Sequence, residues 1–166
     1  FMVLGTGFFM TFTSLSLEQA GFPIWQIGFV QGCYYLGMLL CSLKIDTLIS
    51  RVGHIRVIAA ASGILAAAHC LQFLTSEVLL WALSRLAAGA CVGSFYIGVE
   101  SWLLAEAPKK KRGTALGLYT ISLYFSQSLS QVFLDESLEA TAQSYVYSIA
   151  LISLASIPVC VSYKRG

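Results

Sequence analysis

Long apolar runs separated by short polar breaks most constrain how this chain can fold. A helix needs about 20 mostly apolar residues to cross the hydrocarbon core of a bilayer. Because lipid offers no hydrogen bonds to the backbone, each spanning segment must be helical. The sequence therefore predicts an all-α, polytopic membrane protein. Its six transmembrane helices, called spans 1 to 6, cover residues 1–17, 24–48, 55–74, 78–105, 113–134 and 144–163.

The composition agrees with this prediction. Hydrophobic residues make up 57% of the chain and charged residues only 11%, whereas a soluble domain has about 25% charged residues. The five cysteines are scattered singly, without the spacing of metal ligands. We expect no metal, no cofactor and no nucleic-acid partner; the expected partners are the lipid bilayer and a small solute.

Basic residues mark one side of the membrane. Every Lys and Arg except Arg85 lies in or close to the loop between spans 2 and 3, in the loop between spans 4 and 5, or after span 6, and the opposite loops carry only acidic charges. The positive-inside rule then predicts that both ends of this segment are cytoplasmic, and the short loops suit a bacterial inner (plasma) membrane. The first run starts at Phe1 with no basic segment before it. We therefore expect residues 1–166 to be a fragment of a longer protein, cut inside its first membrane helix.

Small and polar residues recur at helical spacing on several spans. Glycines four residues apart allow helix backbones to approach closely, which predicts packing at three pairs: Gly28/Gly32, Gly89/Gly93 and Gly113/Gly117. Polar stripes follow the same spacing on four spans. The candidate cavity residues on these stripes are Arg85 and Tyr96 on span 4, Tyr124, Gln127 and Gln131 on span 5, and Gln31 and Tyr35 on span 2. Hydrogen bonding between helices is an equal alternative for Gln127 and Gln131, and isolated His69 is expected to be a packing residue.

Span 4 carries two charges on one face. Arg85 and Glu100 are about 22 Å apart along the helix axis, so they cannot pair directly. An intramembrane charge usually marks a pathway or a partner, and we expect Arg85 to face a cavity. Glu100 has two possible roles that stay open here: it is a protonatable coupling group, or a latch that pairs with Arg51, Arg56 or Arg112.

Two cytoplasmic segments resemble a known family. The loop DTLISRVGHIR (residues 46–56) is similar to the G-x-x-x-D-R-x-G-R-R signature of the major facilitator superfamily (MFS), with Arg51 and Gly53 at its arginine and central glycine. Ser50 replaces the aspartate, and Asp46, one turn away, is the candidate substitute. SRLAAG resembles the family's R-x-x-x-G pattern, and KKKRG resembles its entry into the fifth helix. Together with WQIGFVQGCYYLG and VESWLL, these motifs most resemble the YcaD-like branch.

The resemblance implies the N-terminal six-helix half of a twelve-helix transporter, whose missing C-terminal half would be a partner. Such a protein is a secondary active transporter that moves a small solute by alternating access around a midplane site. We expect the transport to be coupled to an ion, the proton. Asp46, Arg51, Gly53, Arg56 and Arg112 would form the cytoplasmic gating loops.

Other functional classes fit less well. A channel or a non-transporting receptor is the main alternative, although the sequence has no selectivity-filter segment. An intramembrane protease is the least favoured, because Ser62 and His69 are about 10 Å apart along one helix, too far for the hydrogen bond that a catalytic dyad needs. We therefore expect that the protein is not an enzyme.

Overall fold

The computed structural model describes residues 2–75, 77–132, 146 and 149–154. Within these residues the chain is helical, without a β-strand. Residues 149–154 are also helical. The other helices are α1 (Met2–Gln19), α2 (Ile24–Ser42), α3 (Ile45–Val52), α4 (His54–Leu74), α5 (Val78–Glu106) and α6 (Arg112–Val132), with a 3₁₀ turn at Lys109–Lys111.

Helices α1, α2, α4, α5 and α6 correspond to predicted spans 1 to 5. Among the described helices, α2, α4 and α5 are long and apolar enough to cross a membrane. Span 6 falls outside the described residues except for 146 and 149–154, and so do the acidic residues that precede it and the basic residues that follow it. The all-helical prediction is thus confirmed for the part of the chain that the structure describes.

The second predicted span is too long. Helix α2 ends at Ser42, whose hydroxyl donates to the Leu39 carbonyl at 2.7 Å. A separate amphipathic helix, α3, follows, with Ile45 and Ile49 buried. The apolar run continues through both helices, so hydropathy alone does not show where the chain turns. Gly53 then separates α3 from α4 with φ +92°, a conformation that favours glycine.

Helix α5 is the central helix, because it packs extensively against both α2 and α4, whereas α1 packs mainly against α6. Helices α2 and α5 run parallel. The contact of Gly89 with the Tyr34 backbone is followed, further along both helices, by contacts of Gly93 with Met38 and of Ser94 with Cys41. The parallel contact fixes which residues of the two helices lie at the same depth.

Glycines make this close contact possible, although only some of the predicted ones do so. A Cβ atom at Gly89 would overlap the Tyr34 carbonyl, and one at Gly37 would overlap the Leu86 carbonyl. Gly28/Gly32 and Gly113/Gly117 make no such close contact among the described residues, because a Cβ atom there would meet no atom within 4 Å. Those glycines lie on faces of α2 and α6 that point away from the described helices. Gly7, which the spacing argument missed, packs against α6.

We expect Gly89→Ala to lower the stability of the full-length protein. Alanine is favoured over glycine in a helix by about 1 kcal/mol, but here the new methyl group would collide with a backbone carbonyl, and overpacking typically costs about 1–3 kcal/mol. Gly63→Ala on α4 is the matched control, because its position is exposed with nothing within 4 Å. Thermal unfolding in detergent should show a lower midpoint for Gly89→Ala and an equal or higher one for Gly63→Ala. A Gly89→Ala midpoint at or above that of the control would contradict the backbone contact.

Candidate functional site

Arg85 lies inside the bundle, between α5 and α1. It is only 1% exposed, and the neighbouring α5 positions Ser84, Ala88 and Gly89 are small and also buried. These small residues leave room for a long side chain to cross from α5 to α1. Its Nη2 atom donates to the Phe9 carbonyl at 3.2 Å, and its Nη1 atom lies 3.5 Å from the Met10 sulfur.

Aromatic rings flank the guanidinium group. Its Cζ atom lies 5.2 Å from the centre of the Phe9 ring and 5.9 Å from that of Tyr34, within the range of cation–π attraction. The His69 ring, 2% exposed, stacks on Phe9 with 3.7 Å between ring centres. His69 is therefore the buried packing residue that the sequence predicts. We call Arg85, Phe9, Met10, Tyr34 and His69 the Arg85 cluster.

Gln31 from α2 reaches the same turn of α1. Its Nε2 atom donates to the Met10 carbonyl at 3.2 Å and to the Ser14 hydroxyl at 2.6 Å. Its Oε1 atom is buried without a hydrogen-bond partner among the described residues. Side chains from α5 and α2 thus converge on two consecutive carbonyls of α1, those of Phe9 and Met10. Arg85 and Gln31, two of the residues predicted to line a cavity, therefore approach the same turn of α1.

The predicted glutamines of α6 lie against the opposite part of α1. The Thr11 hydroxyl donates to Gln131 Oε1 at 3.1 Å, and Gln131 Nε2 is 3.5 Å from the Gly7 carbonyl. The Gln127 side chain lies against Gly7, where a Cβ atom would be 3.0 Å from its Oε1. Gln131 therefore makes the hydrogen bonds between helices that were one of the two alternatives for it, and Gln127 packs beside it.

The three predicted tyrosines are not gathered around Arg85. Tyr35 on α2 and Tyr124 on α6 are 59% and 71% exposed. Tyr96 on α5 is half-buried and packs against the core formed mainly by α2, α4 and α5. A stripe pattern shows which residues share a face of one helix, but the rotation of that helix against its neighbours depends on packing. Among the described residues, Arg85, Gln31 and Gln131 therefore make polar contacts with α1, whereas Tyr35 and Tyr124 point away from the bundle.

Glu100 lies far from the Arg85 cluster and is exposed. Ser94 lies level with Cys41, since its hydroxyl is 2.9 Å from the Cys41 sulfur. Glu100 is six residues further along α5, or about 9 Å, which places it about 7 Å beyond the last residue of α2. Tyr119 on α6, which the sequence argument missed because it lies off the polar stripe, interacts electrostatically with Glu100. The Tyr119 hydroxyl is buried without a hydrogen-bond partner among the described residues.

The predicted gating-loop residues surround α3 and the start of α6. Asp46, Arg51 and Arg56 are exposed, and Gly53 forms the turn between α3 and α4. Arg112 Nε donates to the Ala107 carbonyl at 3.3 Å, which closes the loop between α5 and α6. These basic residues follow the ends of α2 and α5, the parallel helices, and therefore lie on the same side of the bundle.

Sequence comparison with known proteins places this chain in a family. The sequence profile of the Major Facilitator Superfamily matches residues 1–163. Curated relatives include the uncharacterized MFS-type transporter YcaD of Salmonella enteritidis PT4 and its counterparts in Salmonella newport and Salmonella typhi. Each is 31% identical over 126 residues, which are 76% of this chain and 33% of the relative. The chain therefore spans about a third of the length of these relatives. From the match along almost its whole length, the chain belongs to the Major Facilitator Superfamily of membrane transporters.

Proposed function

We propose that the chain is the N-terminal half of a twelve-helix secondary transporter that moves a small solute by alternating access. The observation that carries this proposal is the depth and setting of Arg85. It precedes Gly89 by four residues, and Gln31 precedes Tyr34 by three, so the Gly89–Tyr34 contact puts Arg85 and Gln31 at similar depth. Gln31 is about 10 Å from the start of α2 and about 16 Å from its end. Arg85 therefore lies within the hydrocarbon core, slightly to the outer side of its middle.

A cation at this depth is costly and usually functional. On the mildest scale a central arginine costs about 2.5–3.5 kcal/mol, and the contacts to the Phe9 carbonyl, the Met10 sulfur and two rings offset part of that cost. An anionic group of the solute, or a coupling carboxylate, would replace these uncharged contacts with a charge-assisted pair. Arginine suits this role because its fork of donors matches a carboxylate or a phosphate. We therefore propose an anionic solute with Arg85 as its main contact.

The outward faces of α2 and α6 support the presence of a second half. Tyr35 and Tyr124 are exposed there, and the same two helices carry glycines at which an added Cβ atom would meet no described atom within 4 Å. The curated relatives are about three times as long as the matched segment. We propose that six further helices cover these faces and complete the cavity. In that arrangement Tyr35, Tyr124 and Tyr96 would contribute to its wall, and Gln127 and Gln131 would support α1.

The basic side of the bundle is proposed to be cytoplasmic, in a bacterial inner membrane with six spans in this half. There, Asp46, Arg51, Gly53, Arg56 and Arg112 would form the gating loops. The position of Glu100 beyond the end of α2 favours a latch in these loops over a midplane proton carrier. Proton coupling through Glu100 is the second candidate role, and the Glu100→Gln variant distinguishes this role from the latch.

Arg85→Gln should reduce the counterflow of small organic anions at least tenfold in proteoliposomes of the full-length protein. A tenfold change corresponds to about 1.4 kcal/mol, less than charge-assisted hydrogen bonds usually contribute. Arg85→Lys should retain part of the activity, because it keeps the charge but loses the planar fork. Lys110→Gln, an exposed loop change, is the control. Thermal unfolding of each variant distinguishes a folding defect from lost binding. Wild-type anion counterflow in a folded Arg85→Gln protein, or a flux that never saturates, would contradict the proposal.

Glu100→Gln should change the balance between inward-open and outward-open states if Glu100 is a latch. Losing one charge of a pair removes an attraction present in only one state, so the population of that state falls. Distances between spin labels across the cytoplasmic ends of the two halves would measure the shift. Glu106→Gln is the matched control, since it removes an exposed carboxylate at the end of the same helix. Unchanged distances, combined with loss of proton-driven uptake and retention of exchange, would assign Glu100 to proton coupling instead.

A further inference from the structure

A cavity of about 560 Å³ lies between the end of α2, helix α3 and the middle of α5, away from the Arg85 cluster. It is open to the outside along one side. Lys44 and Arg51 line it from the loop side, and Ala90 and Ser94 line it from α5. None of the roles described above explains Lys44, which is exposed and directly precedes α3.

The cavity begins at the depth of lipid headgroups and extends into the hydrocarbon core. Helix α2 has 19 residues and is about 28 Å long, close to the thickness of that core. Lys44, two residues after its end, therefore lies at the membrane interface. Ser94 is level with Cys41, and Ala90 lies about 6 Å deeper along α5. A ligand that fills the cavity would touch the interface at one end and the membrane interior at the other.

The lining matches a molecule with an anionic head and an apolar tail. The charged side chains that line the cavity are Lys44 and Arg51, both positive. Lys44 directly precedes α3 and Arg51 lies near its end. Because both line the same cavity, their long side chains can reach towards one phosphate or contact two neighbouring ones. Leu48, 47% exposed, lies between them. Apolar side chains exposed beside cations are typical of a surface that contacts a lipid.

From this lining we propose that the cavity binds an anionic phospholipid of the cytoplasmic leaflet. Lys44 and Arg51 bind the phosphate, and an acyl chain lies against Leu48 and Ala90. Basic pockets between transmembrane helices on the cytoplasmic side are known to suit such headgroups. The site goes beyond the proposed transport function, since it needs only that α2 crosses the membrane and that its basic end faces the anionic leaflet.

Native mass spectrometry of the full-length protein in detergent tests this site with cardiolipin, phosphatidylglycerol and phosphatidylcholine. We expect the two anionic lipids to remain bound in preference to phosphatidylcholine. Each basic residue near an anionic surface contributes enough to change an affinity about fivefold. Lys44→Gln should therefore weaken anionic lipid binding about fivefold, and Lys44→Gln with Arg51→Gln about 30-fold.

The matched control is Lys109→Gln with Lys110→Gln, which removes two exposed charges from the 3₁₀ turn outside the cavity. Lys44 and Arg51 are exposed, so both double variants should keep the wild-type unfolding midpoint. Equal losses in the two double variants would overturn the site in favour of a diffuse charge effect. Equal retention of phosphatidylcholine, unchanged anionic binding in the Lys44/Arg51 variant, or displacement of the lipid by millimolar inorganic phosphate would each overturn it as well. None of these readouts depends on transport, so failure here leaves the transporter proposal intact.

Discussion

Helices α2 and α5 touch through their backbones, because Gly37 and Gly89 lack the side chains that would hold the two helices apart. In lipid, where apolar side chains gain little by leaving the solvent, close backbone packing is a main source of helix association. The contact also sets the register of the two parallel helices. That register determines the depth of each residue on α5 relative to α2.

The register separates the two charges of α5. Arg85 lies level with Gln31, and both side chains reach the Phe9–Met10 turn of α1. Glu100 lies beyond the end of α2, on the side of the bundle that carries the basic loops. One helix therefore carries a charge inside the bundle and another at its edge. Their shared face does not make them functional partners, as their separation along the helix predicts.

Hydropathy and charge asymmetry were sufficient to predict helices α1, α2, α4, α5 and α6 and the common side of the basic residues that follow α2 and α5. They did not predict the break after Ser42, because Ile45 and Ile49 continue the apolar pattern while packing as a surface helix. Glycine spacing identified Gly89 and Gly93 but missed Gly37 and Gly7, since single glycines carry no spacing signal. Polar stripes identified Arg85 and Gln31, whereas Tyr35 and Tyr124 point outwards. The rotation of each helix is decided by its neighbours, and a single helix pattern contains no information about them.

The polar contacts of Arg85 link two groups of helices. Helix α5 packs extensively with α2 and α4, α1 packs mainly with α6, and contacts between the two groups are fewer. The hydrogen bonds of Arg85 and Gln31 to α1 cross this boundary. If an anion takes the guanidinium donors that now point to the Phe9 carbonyl, it weakens one of these links while Gln31 keeps the other. Under the proposed function, binding at Arg85 would thereby change how firmly the α1–α6 pair is held against the other helices.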